Sequence, residues 1–346
     1  MRKKPRQRIK DSSKNPDFQE NDFSTGRKIS FRNKKTDFAA DSKKSSPQQR
    51  KATVIILLLT LILVVFFWLK TQQISIFENI FKPHTIEIIS GKQKASNTSK
   101  TSKEKTDSIK EFLKDKKGTY GIYVYNLNNN QKYGINEVKI FPAASINKVP
   151  VMLAFLSQLE KELYSLDDKY SLKSFDVQDY GTGNMRYKEL GTEYTYDELL
   201  ELSGKISDNT AAHVIGSILG ADNIDKFIEV FGLQNTSIDN NETTPLDLGT
   251  LFALTYKGEI LKKEKYKNKF FYYLTNTDFE DRIPAGVPEQ TKVAHKIGNL
   301  EGVFNDCGIV FAENPYVLCI LSKNSSEEEG PPVLKQLSSM IWEFEN

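Results

Sequence analysis

Cysteine is scarce in this sequence, since only Cys307 and Cys319 occur among its 346 residues. Neither has the spacing to other ligands that is typical of a metal site. The two fall in consecutive predicted strands, and a hairpin that closes at residues 313–316 would pair Cys319 with Val310. In that register Cys307 lies about three residues away from the position opposite Cys319, so a disulfide is possible but not favoured.

The C-terminal body lacks an excess of positive charge. Residues 107–346 carry a net charge of −11, whereas residues 1–51 carry +10 and residues 70–106 carry +4. The net charge of +3 for the whole chain is therefore the sum of a basic N-terminal part and an acidic C-terminal body. Because phosphate binding needs a basic surface, the acidic body argues against nucleic acid as its ligand.

The first 51 residues contain few aliphatic side chains and cannot bury a core. Their composition predicts a disordered basic tail that stays in the cytoplasm. Residues 70–106 contain the polar, low-complexity stretch KQKASNTSKTSKEK at 92–105. This composition predicts a flexible linker.

Between these polar segments lies one long hydrophobic run, residues 52–69. Eighteen helical residues span about 27 Å, close to the hydrocarbon thickness of a bilayer. Trp68 sits near one end, where an interfacial anchor is expected. We therefore predict a single transmembrane helix, with the basic N-terminus cytoplasmic and the C-terminal body outside. A cleaved signal peptide is the alternative, but the run starts far into the chain and no small-residue cleavage site follows it directly.

Residues 107–346 form the predicted globular domain. A helix at 108–116 and a hairpin over 119–135 come first, and the helix that follows starts at Ser145. Helices are then predicted at 196–203, 209–219, 222–231 and 244–256, strands at 290–295, 303–312 and 316–322, and a closing helix at 333–344. Terminal segments that complete one antiparallel sheet around a helical insert predict an α+β fold with two lobes. A site is expected in the cleft between the lobes.

Ser145 and Lys148 stand one helical turn apart at the start of an apolar run. This spacing places both side chains on one face of a helix. A lysine whose pKa is lowered can take the proton of a serine, which makes the hydroxyl a nucleophile without any histidine. The alternative is an N-terminal serine cap followed by a solvated lysine.

Three further stretches contain candidate site residues. Ser207-Asp208-Asn209 precedes a helix, either as a helix cap or as polar groups that face the cleft. Lys296 follows His295 in a predicted strand, either as a surface lysine or as a cation that lowers the pKa of Lys148. Arg282 can bind a carboxylate in a bidentate fork or form an ordinary ion pair.

Ser-x-x-Lys, Ser-Asp-Asn and Lys-x-Gly, in this order, resemble the motif set of class A β-lactamases and penicillin-binding proteins. The resemblance covers about residues 107–345 and includes the stretches TYDELL, TTPLDL and DRIPAGVP. It implies that Ser145 is the acylated nucleophile and that Lys148 is its base or part of a proton network. It further implies that Ser207 relays a proton and that Lys296 is an electrostatic partner.

The same resemblance implies a set of substrate-binding groups. Asn209 would contact the substrate, Gly298 would complete the Lys-x-Gly strand, and Arg282 would bind a carboxylate. The backbone N–H groups of Ser145 and Asn299 would form the oxyanion hole. It implies no cofactor and no metal.

Two positions depart from the family pattern. Ile297 replaces the threonine of Lys-Thr-Gly, so a hydroxyl that would contact the β-lactam carboxylate is missing. The segment at residues 233–242 is short. It contains no Glu-x-x-Leu-Asn, the family motif that holds the deacylating water. Asp239 and Glu242 are the only acids there, and Glu242 lies too close to the following TTP stretch to take the family position.

The sequence therefore predicts a membrane-anchored, extracytoplasmic serine hydrolase. It would form an acyl-enzyme at Ser145 with β-lactams or D-alanyl wall peptides and would deacylate slowly. The alternative is an inactive β-lactamase-like domain that binds wall peptide or another protein. The predicted partners are a small wall-like substrate and, through residues 52–69, the lipid bilayer.

Overall fold

The computed structural model describes Thr60 and residues 100–346. The predicted tail, the predicted transmembrane run except Thr60, and most of the predicted linker lie outside the described residues. Within the described part, no helix is both long enough and apolar enough to cross a bilayer. The account below therefore concerns the C-terminal domain.

A five-stranded antiparallel sheet forms the centre of this domain, in the order β2-β1-β9-β8-β7. Its three late strands are almost wholly buried, which is expected for strands covered on both faces. The strands are β1 Thr119–Asn126, β2 Lys132–Ile135, β7 Lys292–Leu300, β8 Val303–Phe311 and β9 Tyr316–Lys323. Short strands pair outside this sheet: β3 Phe141–Pro142 with β6 Glu242–Thr243, and β4 Lys169–Ser171 with β5 Glu193–Thr195.

The β8–β9 hairpin corrects the predicted register. Cys319 pairs with Cys307, and Val310 pairs with Tyr316. The prediction of Cys319 opposite Val310 is therefore wrong by three residues. The reason is that the connection between the paired residues Val310 and Tyr316 is wider than the tight turn at Asn314-Pro315 that the prediction assumed. The two cysteines face each other and form a disulfide.

Helices cover both faces of the sheet, which confirms the predicted α+β class. On one face lie α1 Ser102–Leu113 and α8 Gly330–Glu345. On the other lies the helical lobe: α2 Lys148–Glu160, α3 Tyr196–Lys205, α4 Asn209–Leu219, α5 Ala221–Val230, α6 Pro245–Tyr256 and α7 Glu264–Tyr273. Each face has its own hydrophobic cluster, one around Phe155 and Phe252 and the other around Ile320 and Leu334.

Buried polar contacts join the first helix to the last one. Lys105 donates to Glu345 at 2.7 Å, and Gln131 accepts from the same amine at 3.2 Å. Asn126 and Tyr133 donate to Glu345 as well, each at 2.7 Å. Helix α1 begins at Ser102, within the segment that the sequence assigns to the linker, because Thr101 and Glu104 form a capping box there.

Candidate active site

Ser145 lies in a tight 3₁₀ turn, Ala144–Asn147, at the start of α2. Ala144 adopts a left-handed conformation with φ 53°, which is uncommon for a residue other than glycine and is found most often at functional sites. The turn places Ser145 on the wall of a cavity of about 1000 Å³. In the described part of the chain the Ser145 hydroxyl has no hydrogen-bond partner, so it is free to meet a ligand in the cavity.

Lys148, one turn after the serine, lines the same cavity. Its Nζ donates to the Ser207 carbonyl at 2.5 Å, to Asn209 Oδ1 at 2.7 Å and to the Ser207 hydroxyl at 3.0 Å. Burial lowers the pKa of Lys148 to about 7, against the opposing effect of the Asp208 carboxylate. A lysine with this pKa is partly neutral at physiological pH and can accept a proton.

The contacts of Lys148 differ from the predicted arrangement in one respect. Among the described residues Lys148 is bonded to Ser207 and Asn209, and it makes no hydrogen bond to Ser145. The alternative of a solvated lysine is excluded, because only 9% of the Lys148 side chain is exposed. Lys148 therefore lies one turn after Ser145, but its hydrogen bonds go to Ser207 and Asn209 of the Ser-Asp-Asn motif.

That motif lies where α4 begins. Ser207 adopts φ 54° and points its carbonyl towards Lys148 and towards the Thr182 hydroxyl, which donates to it at 2.7 Å. Asp208 caps the helix by accepting from Ala211 N–H at 3.0 Å, so the capping interpretation holds for Asp208. Because Asp208 performs the capping, Ser207 and Asn209 remain available to the cavity, and both line it.

Strand β7 forms the opposite wall, where Ile297 and Asn299 line the cavity. Gly298 lies against the nucleophile turn, where a Cβ would come within 2.6 Å of the Ala143 carbonyl oxygen. Only glycine allows the strand to approach the turn this closely. Asn299 therefore lines the same cavity as Ser145, whereas Gly298 packs against the nucleophile turn and does not reach the cavity.

Lys296 is 2% exposed, so the surface alternative is wrong. Its amine contacts the Ile297 carbonyl at 3.5 Å and lies 5.8 Å from the centre of the Phe279 ring. Burial, and next the charge of Lys148, lower the pKa of Lys296 well below its ordinary value, while the Asp306 carboxylate opposes this shift. Of the two causes expected for a low pKa of Lys148, burial and a neighbouring cation, burial is the larger one.

Asp306 belongs to a buried cluster behind β7. It accepts from His295 at 2.8 Å, and Glu280 lies 3.3 Å from the other ring nitrogen of His295. Although burial opposes the protonated form, these two carboxylates raise the pKa of His295 to about 9. His295 thus links β7, the strand that carries Lys296, to Asp306 of β8 and to Glu280.

Arg282 does not reach the cavity. Its side chain is 2% exposed and donates to the Asn305 carbonyl at 2.8 Å, with Asp281 at 3.7 Å from Nε. Asn305 in turn donates to the backbone carbonyls that precede Ser145. Arg282 thus contacts β8 through Asn305 and does not line the cavity, and its role as a carboxylate ligand stays a prediction.

The short segment at 233–242 lies at the edge of the cavity. Asn241 adopts φ 53°, accepts from the Asn147 side chain at 3.0 Å, and through its carbonyl accepts from Ala143 N–H at 2.8 Å. Asp239 lines the cavity, whereas Glu242, which pairs with Pro142 of β3, does not. Among residues 100–346 no glutamate lines the cavity, which agrees with the missing deacylation motif.

Several cavity residues are not predicted from the sequence. They come from the nucleophile turn and from the loop before α3, and they are Asn147, Gln178, Tyr180 and Thr182. Tyr180 accepts from Asn209 Nδ2 at 3.0 Å through its carbonyl. The only signal for this loop is its polar, glycine-containing stretch at 180–184, which does not reveal that it folds over Asn209.

A model of the beta-lactamase enzyme family matches residues 104–344. Beta-lactamase VEB-1 from Pseudomonas aeruginosa is 24% identical over 267 residues, which cover 69% of this chain and 89% of that protein. Beta-lactamase 3 from Bacillus cereus is 27% identical over 226 residues, which cover 60% of this chain and 70% of that protein.

Among solved structures, PBP-A is 26% identical with a TM-score of 0.67, and the match covers 72% of this chain and 98% of PBP-A. A mutant of PBP-A is known as an acyl-enzyme complex with penicillin G. The TLA-1 extended-spectrum beta-lactamase shares the fold, with a TM-score of 0.66, 24% identity, and coverage of 71% of this chain and 99% of that one. The family match spans the whole sheet and the helical lobe, and it includes every residue of the site described above. This chain is therefore a member of the beta-lactamase enzyme family.

Proposed function

We propose that the chain is a serine acyl-transfer enzyme that is acylated at Ser145 by β-lactams or by D-alanyl wall peptides and that deacylates slowly. The observation that carries the proposal is the shared cavity. It joins a free serine hydroxyl, a buried lysine with a pKa of about 7, and the Ser207–Asn209 pair that holds this lysine.

The acylation step uses these groups in sequence. Ser145 Oγ attacks the amide carbonyl as its proton passes to the neutral amine of Lys148, which turns away from Asn209 to accept it. The backbone N–H groups of Ser145 and Asn299 stabilise the oxyanion. The C–N bond then breaks, and the leaving nitrogen receives a proton from Lys148 through the Ser207 hydroxyl. The products are an ester at Ser145 and a free amine.

Slow deacylation follows from the acids near the site. Removal of the acyl group needs a water molecule and a base to activate it. Since no glutamate lines the described cavity, the family's base is missing. Asp239 is exposed at the cavity edge and makes no hydrogen bond that would orient it towards Ser145 in the described part of the chain.

The proposal is tested with a fluorescent penicillin and the full chain in detergent. We expect covalent labelling of the wild-type chain and none of Ser145→Ala, with the label persisting for hours. Equal labelling of Ser145→Ala would overturn the nucleophile assignment. If a folded wild-type chain stays unlabelled at high probe concentration, the chain does not recognise β-lactams.

The second candidate is a binding domain without catalysis. Two observations favour it: Ile297 stands where the family has threonine, and Lys148 is bonded to Ser207 instead of Ser145. Saturable but non-covalent binding of the same penicillin, equal in wild type and Ser145→Ala, would support this function.

We also propose that the domain is extracytoplasmic and anchored by residues 52–69. The support is the length of this apolar run and the basic tail that precedes it. In cells, a protease added outside should digest the C-terminal domain and leave the basic tail intact. Protection of the domain until the membrane is lysed would contradict this topology.

A further inference from the structure

We propose that Thr182 is a positioning residue for the acylation step. Its hydroxyl shares the Ser207 carbonyl with the amine of Lys148 and thereby sets how firmly this carbonyl holds the amine. This inference rests on the proposed function, because the amine that Thr182 influences is the base that activates Ser145.

The loop of residues 180–185 is hydrogen-bonded to both outer residues of the Ser-Asp-Asn motif. The Thr182 hydroxyl donates to the Ser207 carbonyl at 2.7 Å. The Thr182 carbonyl accepts from the backbone N–H of Asn209 at 3.1 Å, and the Tyr180 carbonyl accepts from Asn209 Nδ2 at 3.0 Å. A shift of this loop would therefore move the groups that hold the lysine amine.

The glycines on either side of Thr182 allow the loop to approach the motif this closely. Gly181 and Gly183 both adopt left-handed conformations, with φ 70° and φ 100°. A Cβ at Gly183 would lie 2.5 Å from the Cα of Asp208, and a Cβ at Gly181 would lie 2.2 Å from Nδ2 of the motif asparagine. Because of these conformations and contacts, the Gly-Thr-Gly sequence places the Thr182 hydroxyl against the motif as no larger residues could.

The Ser207 carbonyl accepts from two side chains at once. Besides the Thr182 hydroxyl, it accepts from Lys148 Nζ at 2.5 Å. A carbonyl oxygen has two lone pairs, so these donors use its full acceptor capacity. Donors that share one oxygen divide its electron density, and each bond is weaker than it would be alone. Removal of the Thr182 hydroxyl should therefore strengthen the bond between Ser207 and Lys148.

The strength of this bond influences which form of Lys148 is favoured. A carbonyl accepts more strongly from an ammonium group than from a neutral amine, so a stronger bond favours the charged form. The pKa of Lys148 would then rise above its value of about 7, and less neutral amine would be present to take the proton of Ser145. The other charged groups that act on the site lysines are Asp208 and Lys296, and neither is hydrogen-bonded to Thr182 in the part of the chain that the structure describes.

The test compares the pH dependence of acylation between variants of the full chain in detergent. Acylation by penicillin G is followed by intact mass between pH 5 and pH 9. In Thr182→Val, which keeps the shape of threonine but lacks the hydroxyl, we expect the midpoint of the rate to rise by about half a pH unit. The rate at pH 6 should therefore fall by about threefold, whereas the plateau rate at high pH should stay within about twofold of the wild-type rate.

Matched variants separate this effect from a loss of packing. Thr182→Ser keeps the hydroxyl and should restore the wild-type midpoint. Thr192→Val removes a hydroxyl that donates to the Glu189 carbonyl at 2.7 Å, outside the cavity, and should leave the midpoint unchanged. A merely structural role of Thr182 would lower the plateau rate or the stability of the chain without moving the midpoint.

The titration of Lys148 is also measured without any substrate. The chain is isotopically labelled at the lysine ε-carbons and followed by NMR, and the signal that disappears in Lys148→Arg reports the protonation of this amine. In Thr182→Val the midpoint of this signal should rise by the same amount as the kinetic midpoint.

The outcomes separate this inference from the proposed function. If the chain is acylated but both midpoints of Thr182→Val equal those of the wild type, Thr182 does not position the base although the enzyme is confirmed. If the midpoints fall instead of rising, the inferred sharing of the carbonyl is wrong. If a folded chain is never acylated, the proposed function fails, and the NMR midpoint alone decides whether Thr182 acts on Lys148.

Discussion

Two regions of the domain bury lysine in different ways. Lys105, between the terminal helices and the sheet, is 3% exposed and lies 2.7 Å from the carboxylate of Glu345. Lys148 and Lys296, at the active site, are also buried, at 9% and 2% exposed, but have no carboxylate within ion-pair distance in the described part of the chain. Burial without a paired carboxylate lowers the pKa of both active-site lysines.

The difference separates a structural role from a chemical one. A buried ion pair whose charges are satisfied holds its two elements together, here α1 and α8. A buried lysine without such a partner favours its neutral form and keeps a lone pair for proton transfer. The left-handed Ala144, Ser207 and Asn241 all lie on the active-site side, where strain is tolerated in return for positioning.

The largest expected effect comes from replacing the proposed base. In Lys148→Arg the charge is kept, but a guanidinium does not lose its proton, so general base catalysis is removed. We expect acylation by penicillin to slow by about 10²–10⁴-fold, measured by intact mass on a chain whose folding is checked by circular dichroism. If Lys148→Arg acylates at the wild-type rate, Lys148 acts only through its charge.

The structural lysine should respond in the opposite way. Lys105→Met leaves Glu345 buried without its partner, which should reduce the free energy of unfolding by about 3–5 kcal/mol in urea titrations. The acylation rate of the folded protein should not change. The double variant Lys105→Met with Glu345→Gln serves as the control and should recover most of the stability, because no charge is then left unpaired and the glutamine keeps an acceptor for Asn126 and Tyr133. If the single variant loses no stability, the terminal-helix contact is not structural.

The acylation rate should depend on pH through Lys148, whose pKa is about 7. Its neutral form is the base, so the rate should fall by about tenfold for each pH unit below 7 and level off above it. Rates measured by stopped-flow between pH 5 and pH 9 test this, with Lys148→Arg as the variant that should lack the acid limb. A flat profile in the wild-type chain would show that Lys148 does not titrate in the rate-determining step.

The smallest effect concerns Ile297, which lines the cavity beside Asn299. Ile297→Thr restores a hydroxyl that can donate to the carboxylate of a β-lactam. One such hydrogen bond contributes about 0.5–1.5 kcal/mol, so the concentration of penicillin G that gives half-maximal acylation should fall by about twofold to tenfold. Ile297→Val, which adds no hydroxyl, is the matched control and should show no such gain.

Much of the fold follows from local patterns in the sequence. The strands β1, β8 and β9 and the helices α4 and α6 appear close to their predicted positions, because apolar periodicity and capping residues mark them. Helix α7 is not predicted, since its lysines and aromatic residues form no clear apolar stripe. The register of β8 against β9 depends on the width of their connection, which sequence periodicity does not determine.

The site is predicted in its chemistry but not in its contacts. Motif spacing identifies Ser145, Lys148 and Ser207, and the structure brings them to one cavity. The burial of Lys296 and the displacement of Arg282 from the cavity depend on tertiary packing between β7, β8 and the nucleophile turn. No local pattern contains that information.

The acyl-enzyme itself tests the central claim most directly. The full chain in detergent is mixed with excess penicillin G, and its intact mass is followed from seconds to hours, with peptide mapping of the adduct. We predict one adduct per chain, on the peptide that contains Ser145, that persists for hours after free penicillin is removed. An unmodified mass with intact penicillin would contradict acylation at Ser145, and rapid conversion of all the penicillin to its hydrolysed form would contradict slow deacylation.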